Sequence, residues 1–299
     1  MSTVTSTPAK RGLARSVAGV FTGQPFSFYA AIVLLSATAA VALLTPLLPS
    51  YDPYGQDLFA GYLEPFQTAD GPSGKFYLLG ADALGRDYLS RIAVATRVSG
   101  FIGLAAVAIS LVIGVTLGLV AGFFRGPLEQ AIMGLADLQL AIPRILLLIA
   151  VTAVVGPSIL NLTLLLGFTS WVSYGRVARA MALSLREREF VLSAKTQGAS
   201  WRWNIWHHLL PNVLPQMIIV GSYELGTIII IESSISYLGL GIQPPLPSLG
   251  LMIAEGQSYL QLNPWMAVLP GIVLFMMIAG VQFFSQRFTS EGRAQSFGG

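Results

Sequence analysis

Long apolar stretches without a single charged side chain constrain this chain more than any other feature. Residues 16–51 and 98–124 contain no Asp, Glu, Lys or Arg, and a further 31 uncharged residues separate Arg144 from Arg176. A helix of about 20 apolar residues crosses roughly 30 Å of hydrocarbon, because each residue rises 1.5 Å and the helix satisfies its own backbone polar groups. Only 10% of the 299 residues are charged and 54% are hydrophobic, whereas ordinary soluble domains carry about 25% charged residues. The expected fold class is therefore an all-α polytopic membrane protein.

Six spans follow from these runs: Phe26–Leu48, Val98–Phe124, residues 137–156, residues 158–179, Val213–Leu238 and Trp265–Phe288. The third and fourth meet at Val155-Gly156-Pro157-Ser158, a turn signal, and Arg176 and Arg179 reach the interface by snorkelling. Six crossings put both termini on one side. With the N-terminus cytoplasmic, Lys10, Arg11, Arg15, Arg125, Arg176, Arg179, Arg186, Arg188, Lys195, Arg202, Arg287 and Arg293 lie inside and Lys75, Arg86, Arg91 and Arg97 outside. Twelve against four selects N-in, C-in. Trp171, Tyr174, Tyr259 and Trp265 near span ends fit aromatic belts. A cleavable leader built on Lys10–Arg15, the apolar run and Ala40-Val41-Ala42 is the competing reading of the start, and it would leave five spans. Residues 1–25 read as a cytoplasmic tail facing anionic lipid, 26–48 as the first membrane helix, 49–97 as an outside loop, 98–288 as a five-helix core and 289–299 as a cytoplasmic tail.

Several function classes fall away. There is no cysteine, which removes disulfides, thiolate metal sites and cysteine nucleophiles. The two histidines, His207 and His208, are adjacent, so no HExxH metal helix exists, and no catalytic Ser/His or paired-carboxylate pattern occurs. A formal net charge of +3, with bases at membrane boundaries, argues against nucleic acid. Gly74-Lys75 is followed by Phe76 and has Ala69 five positions upstream of Gly74, so no phosphate-binding loop is present.

The inside loop from Met181 to Pro211 is the most informative stretch. Arg186–Thr196 reads as a short amphipathic helix with Phe190, Val191 and Ala194 on one face, stopped by Gly198. Ser200 is the expected N-cap of a second helix, with Trp201, Ile205 and Leu209 at i, i+4, i+8 and Pro211 as its end. Two such helices need a surface: lipid, with Trp203, Trp206 and the histidines at the head groups, or another protein.

Ala194-Lys195-Thr196-Gln197-Gly198, with Ile205 and Leu210-Pro211, resembles the cytoplasmic "EAA" loop of bacterial ABC importer permeases, although Leu192-Ser193-Ala194 stands where Glu-Ala-Ala would and the nearest acid is Glu189. Three further stretches are similar to the dipeptide, oligopeptide and nickel subfamily: Leu79-Gly80-Ala81-Asp82-Ala83-Leu84-Gly85-Arg86-Asp87, then Asp137 with Ile142-Pro143, and Tyr237-Leu238-Gly239-Leu240-Gly241 with Pro244-Pro245-Leu246-Pro247-Ser248. The resemblance implies an inner-membrane permease with a coupling-helix loop, paired with a homologous second permease, fed by an extracytoplasmic solute-binding protein and driven by two cytoplasmic ATPase subunits. ATP and magnesium would reside in those partners, with no cofactor, metal or catalytic residue in this chain. The ATPase contact is expected at Glu189, Ala194, Lys195, Gln197, Gly198, Ala199, Ser200, Trp201 and Ile205. Peptides are the expected cargo.

Glu224 and Glu232 lie eight residues apart in the fifth span, about 80° apart around the helix. Intramembrane acids are costly and usually face a cavity or a partner, so both are candidates for the translocation pathway, with Asp137 and Asn161; Gln139 and Gln216 are weaker ones. Arg144 lies seven residues from Asp137 and has no counterpart in the family pattern. Asp82, Arg86, Asp87 and Arg91 read as a helical charge pattern before the second span, and Gln243 and Pro245 belong to a proline-stiffened loop. Either is a candidate outer gate or binding-protein contact. The alternative function is a proton-coupled secondary transporter using Glu224 and Glu232 as a relay.

Overall fold

A computed structural model describes residues 26–296, with side chains as far as Gln286. The basic tail carrying Lys10, Arg11 and Arg15, and the side chains of Arg287 and Arg293, lie outside the described residues. Helix α1 (Phe26–Leu44) runs into a 3-10 turn at Thr45–Leu47. An irregular segment follows, in which β1 (Gln67–Thr68) pairs antiparallel with β2 (Phe76–Tyr77). Then come α2 (Tyr88–Phe124), α3 (Gly126–Leu140), α4 (Arg144–Val155) and α5 (Ile159–Leu185). The loop region holds α6 (Glu189–Thr196) and α7 (Trp201–Asn204), and a π turn at Ile205–Leu209 leads into α8 (Leu210–Tyr237). Helices α9 (Leu249–Gln257) and α10 (Trp265–Ser296) complete the described chain.

Among the described residues, four helices are long and apolar enough to cross a membrane, within α1, α2, the run from α7 through α8, and α10, and a fifth if the bent α3–α4 pair counts as one. The expected single helix over 137–156 is instead broken at Ala141–Pro143, where α3 and α4 turn by 87°. Pro143 has no N–H to donate and disfavours helical geometry at Ile142, so the first helix must stop there. Helix α5 is long enough to span, with 27 residues, but Arg176, Arg179 and its hydroxyl and amide side chains dilute its apolar character.

Two further boundaries differ from expectation. Helix α2 begins at Tyr88, ten residues before its uncharged run, because the Asp87 carboxylate accepts from the Ser90 N–H at 2.9 Å and caps it. Residues 82–87 form a turn, so Asp82, Arg86 and Asp87 are not on a helix as their spacing suggested. Pro211 does not end a helix either. It sits in the first turn of α8, directly after a π turn in which the Leu210 N–H reaches back to the Ile205 carbonyl. The wider turn makes room for the proline ring, which would clash in a regular α-turn.

The central packing unit is α2 against α5. Gly114, Gly118 and Gly122 form one stripe on α2, and a Cβ on Gly118 would stand 2.4 Å from the Gly175 carbonyl oxygen and 2.7 Å from the Ala178 Cβ. Only a missing side chain lets the two backbones approach this closely. Trp171 and Tyr174, expected in an aromatic belt, are instead buried in this seam at 4% and 0% exposure. The core of the loop end joins Val115, Leu119, Ala178 and Ala182 to Val191, Ile205, Leu209 and Met217. A second cluster, around Ile102, Leu148, Leu166 and Ile228, fills the middle.

Candidate functional site

Helix α6 ends in a Schellman motif: the Ala199 N–H donates to the Ala194 carbonyl at 3.0 Å and the Gly198 N–H to the Lys195 carbonyl at 3.1 Å. Gly198 has φ +88°, a left-handed geometry that glycine adopts without penalty. Two residues on, the Ser200 hydroxyl accepts from the Trp203 N–H at 3.3 Å and starts α7. Asn204, buried to 1% exposure, donates from Nδ2 to the Ser200 carbonyl at 3.2 Å and locks the connection. The loop is anchored inward by Val191, Ile205 and Leu209, and at its entry the Arg186 guanidinium donates to the Phe123 carbonyl at 2.6 Å.

Between α6 and α7 lies an open groove of about 760 Å³, lined by Ala194, Gln197, Gly198, Ala199 and Ser200 together with Phe190, Ser193, Trp203 and His208. Five residues expected at a partner contact therefore share one concave surface. Lys195 and Glu189 are exposed on α6. Trp201 is 45% exposed, with its ring edge-on to Phe124 at 5.2 Å. Ile205 points into the core of its own chain, which leaves it no free face for a partner pocket. Trp203 stacks on His207 at 4.7 Å and meets His208 edge-on at 4.8 Å, forming an aromatic wall. Their placement at lipid head groups followed from the amphipathic pattern of two short helices; the groove needs α6 and α7 to be folded against each other.

The ionisable residues of the helices fall into separate settings. Asp137 accepts from Arg176 at 2.6 Å and both are largely exposed. Glu129 accepts from the Arg179 Nε at 2.6 Å, and Gln139 donates to the Thr169 carbonyl at 2.6 Å while accepting from the Trp171 indole at 2.9 Å. These bonds strap α3 to α5. Asn161 donates to the Gly156 carbonyl at 3.0 Å and closes the α4–α5 turn. Glu232, with no exposure, accepts from the hydroxyls of Ser99 at 2.8 Å, Ser236 at 2.9 Å and Ser233 at 3.3 Å. Glu224 faces Arg144 across 3.8 Å.

On the far side from the loop, Asp82 is a hub. Its carboxylate accepts from the Arg86 Nε at 2.7 Å, from Arg91 at 2.5 Å and from the N–H groups of Leu84 and Arg86 at 2.9 and 3.0 Å. Asp82 and Asp87 are turned inward at 2% and 5% exposure. Gln243 and Pro245 are exposed, and the Gln243 amide donates to the Gly239 carbonyl at 2.9 Å. No group of three or more His, Asp or Glu side chains among the described residues is placed to hold a metal ion.

A family model described as "Binding-protein-dependent transport system inner membrane component" matches residues 114–290. The chain is 34% identical over 251 residues to the dipeptide transport system permease protein DppC of Alkalihalophilus pseudofirmus, covering 83% of this chain and 79% of that protein. It is 30% identical over 258 residues to the nickel transport system permease protein NikC of Escherichia coli, covering 86% and 90%. Among solved structures, an inward facing conformation of the MetNI methionine ABC transporter aligns with TM-score 0.53 at 19% identity, over 67% of this chain and 95% of that one. At that identity the likeness is one of fold.

Proposed function

This chain belongs to the family of binding-protein-dependent transport system inner membrane components, and from that premise we propose that it is one of two permease subunits of an ATP-driven peptide importer, moved through the loop between α5 and α8. It is a multi-pass ABC importer permease; the cargo, partners and contact residues are our reading. The observation that carries it is the groove around Gly198. It is open to solvent, while the helices that form it are rooted through Val191, Ile205 and Leu209 in the α2–α5 core. A surface that is concave outward and rigid inward transmits a push. Two cytoplasmic ATPase subunits, holding ATP and magnesium, supply that push, and this chain hydrolyses nothing.

Within this reading the chain crosses the membrane six times with both termini cytoplasmic, α3 and α4 forming one bent crossing and α5 another. The ATPase seats on Ala194, Gln197, Gly198, Ala199 and Ser200, with Glu189, Lys195 and Trp201 on the rim. Substrate arrives from a soluble binding protein at the opposite face, where Gln243 and Pro245 are exposed and the Asp82–Arg86–Arg91 cluster holds the corner rigid. Peptide cargo is favoured because the relatives include dipeptide and oligopeptide permeases. The proton-relay alternative finds no support: Glu232 is boxed in by three hydroxyls and Glu224 is turned toward a guanidinium.

The test is purification of the chain from its native membrane followed by reconstitution. ATPase subunits should copurify and peptide uptake should be vanadate-sensitive. Uptake that persists without ATPase subunits and collapses with uncouplers would overturn the proposal.

A further inference from the structure

Two carboxylates of α8 sit in opposite chemical situations. Glu232 is surrounded by hydroxyl donors. Glu224 is buried to 4% exposure, yet its Oε2 accepts no hydrogen bond from the described residues. The Arg144 Nη1, the cation paired with it among the described residues, is 3.8 Å away, beyond hydrogen-bond length. Arg144 donates from Nη2 to the Ser170 hydroxyl, and its buried Nε has no partner among the described residues. A guanidinium offers five donors and a carboxylate about four acceptor sites, so this pair leaves strong bonding capacity unused where an unmade bond costs most.

The location matters as much as the chemistry. Ser170 is the twelfth of 27 residues in α5 and Glu224 the fifteenth of 28 in α8, so both stand near mid-height of helices about 40 Å long. Arg144 opens α4 at the bend after Pro143, and its side chain is 25% exposed rather than sealed. The next residue, Ile145, lines an apolar cleft of about 360 Å³ with Ile230, Ser233 and Tyr237. A slack ion pair near mid-height, with its guanidinium partly exposed and one residue removed from the wall of an apolar cleft, is the complement of a molecule carrying one carboxylate, one ammonium and an apolar body.

We infer that Arg144 and Glu224 form a recognition site for a zwitterionic cargo in the translocation pathway, Arg144 taking the free carboxylate and Glu224 the free ammonium. Ser170 holds the guanidinium in place. This rests on the importer reading above. Cargo entry exchanges one stretched ion pair for two shorter ones, so no buried charge is left without a partner.

The absence of cysteine in this chain makes a clean test possible. Ile145→Cys is introduced, the whole complex is purified without nucleotide, and maleimide labelling of this subunit is followed by mass. A dipeptide with free termini should slow labelling several-fold. Its C-terminal amide and its N-acetyl derivative should need about tenfold higher concentration for the same protection. Arg144→Gln should erase the acid–amide difference and Glu224→Gln the amine–acetyl difference. The Arg144→Gln/Glu224→Gln double variant leaves no lone charge and should erase both. Equal protection by acid and amide, no protection by any dipeptide, or discrimination that survives in the double variant would each overturn the site. A complex that retains its ATPase subunits and vanadate-sensitive uptake while failing this test overturns the site alone, whereas loss of those two properties in the unmodified complex overturns the importer reading.

Discussion

Replacing Gly118 by alanine adds one methyl group where α2 meets α5. That methyl would stand 2.4 Å from the Gly175 carbonyl oxygen and 2.7 Å from the Ala178 Cβ, roughly 1 Å inside the usual 3.5–4.0 Å contact distance. Neither obstacle is the end of a flexible side chain, so the helices must separate. Overpacking of this kind costs about 1–3 kcal/mol, and the better helix propensity of alanine returns up to about 1 kcal/mol. A net loss of about 1–2 kcal/mol is expected, more if Gly114 and Gly122, with equally close contacts at 2.4 and 2.6 Å, also lose their fit. Gly134→Ala in α3 is the control, because a Cβ there meets none of the described residues within 4 Å; it should be neutral or slightly stabilising. The assay is thermal unfolding of the purified complex in detergent, read by tryptophan fluorescence because Trp171 lies in the seam. If Gly118→Ala melts together with Gly134→Ala, the close approach of α2 and α5 is not what holds this bundle.

Other consequences concern the loop, the outer corner and the buried acid. A side chain at Gly198 meets no atom of the described residues within 4 Å, and the φ of +88° strains any other residue there by about 1–2 kcal/mol; Gly198→Trp should therefore leave membrane insertion intact but abolish copurification of ATPase subunits, and retention of both the subunits and ATP-driven uptake would sink the groove assignment. Asp82→Ala removes the shared acceptor of two guanidinium groups and should cost about 3 kcal/mol, seen as faster proteolysis of residues 49–87 while α10 stays protected. Ser200→Ala should cost about 1 kcal/mol through the lost α7 cap, lowering the melting temperature without changing the oligomeric state. Glu232→Ala deprives three hydroxyls of their acceptor and should cost about 2 kcal/mol, whereas Glu232→Gln, which still accepts, should recover most of the melting temperature.

Much of this protein was legible one dimension at a time. Uncharged runs located the apolar helices because the hydrocarbon thickness sets a length that composition alone can meet. The Gly198 cap and the Ser200 N-cap were readable because each depends on a residue and its immediate neighbours. The break at Pro143 carried its own signal, and a proline at the centre of a supposed span outweighs the apolar run around it. Pro211 misled for the opposite reason: its helix continues through a π turn, which no residue type announces.

What could not be read from the chain were relations across distance. Trp171 and Tyr174 look like interfacial aromatics until α2 offers a glycine stripe to receive them. Glu224 and Glu232 are the same residue type on the same helix, and only the arrival of Ser99 from α2 and Arg144 from α4 makes one a closed hydrogen-bond cage and the other an open ion pair. The groove around Gly198 likewise exists only once α6 and α7 are both rooted in the core. Local bonding and hydrophobic length act within a few residues and so were set by the sequence itself, whereas the pairing of buried charges depends on which helix is brought alongside, and tertiary packing alone decided that.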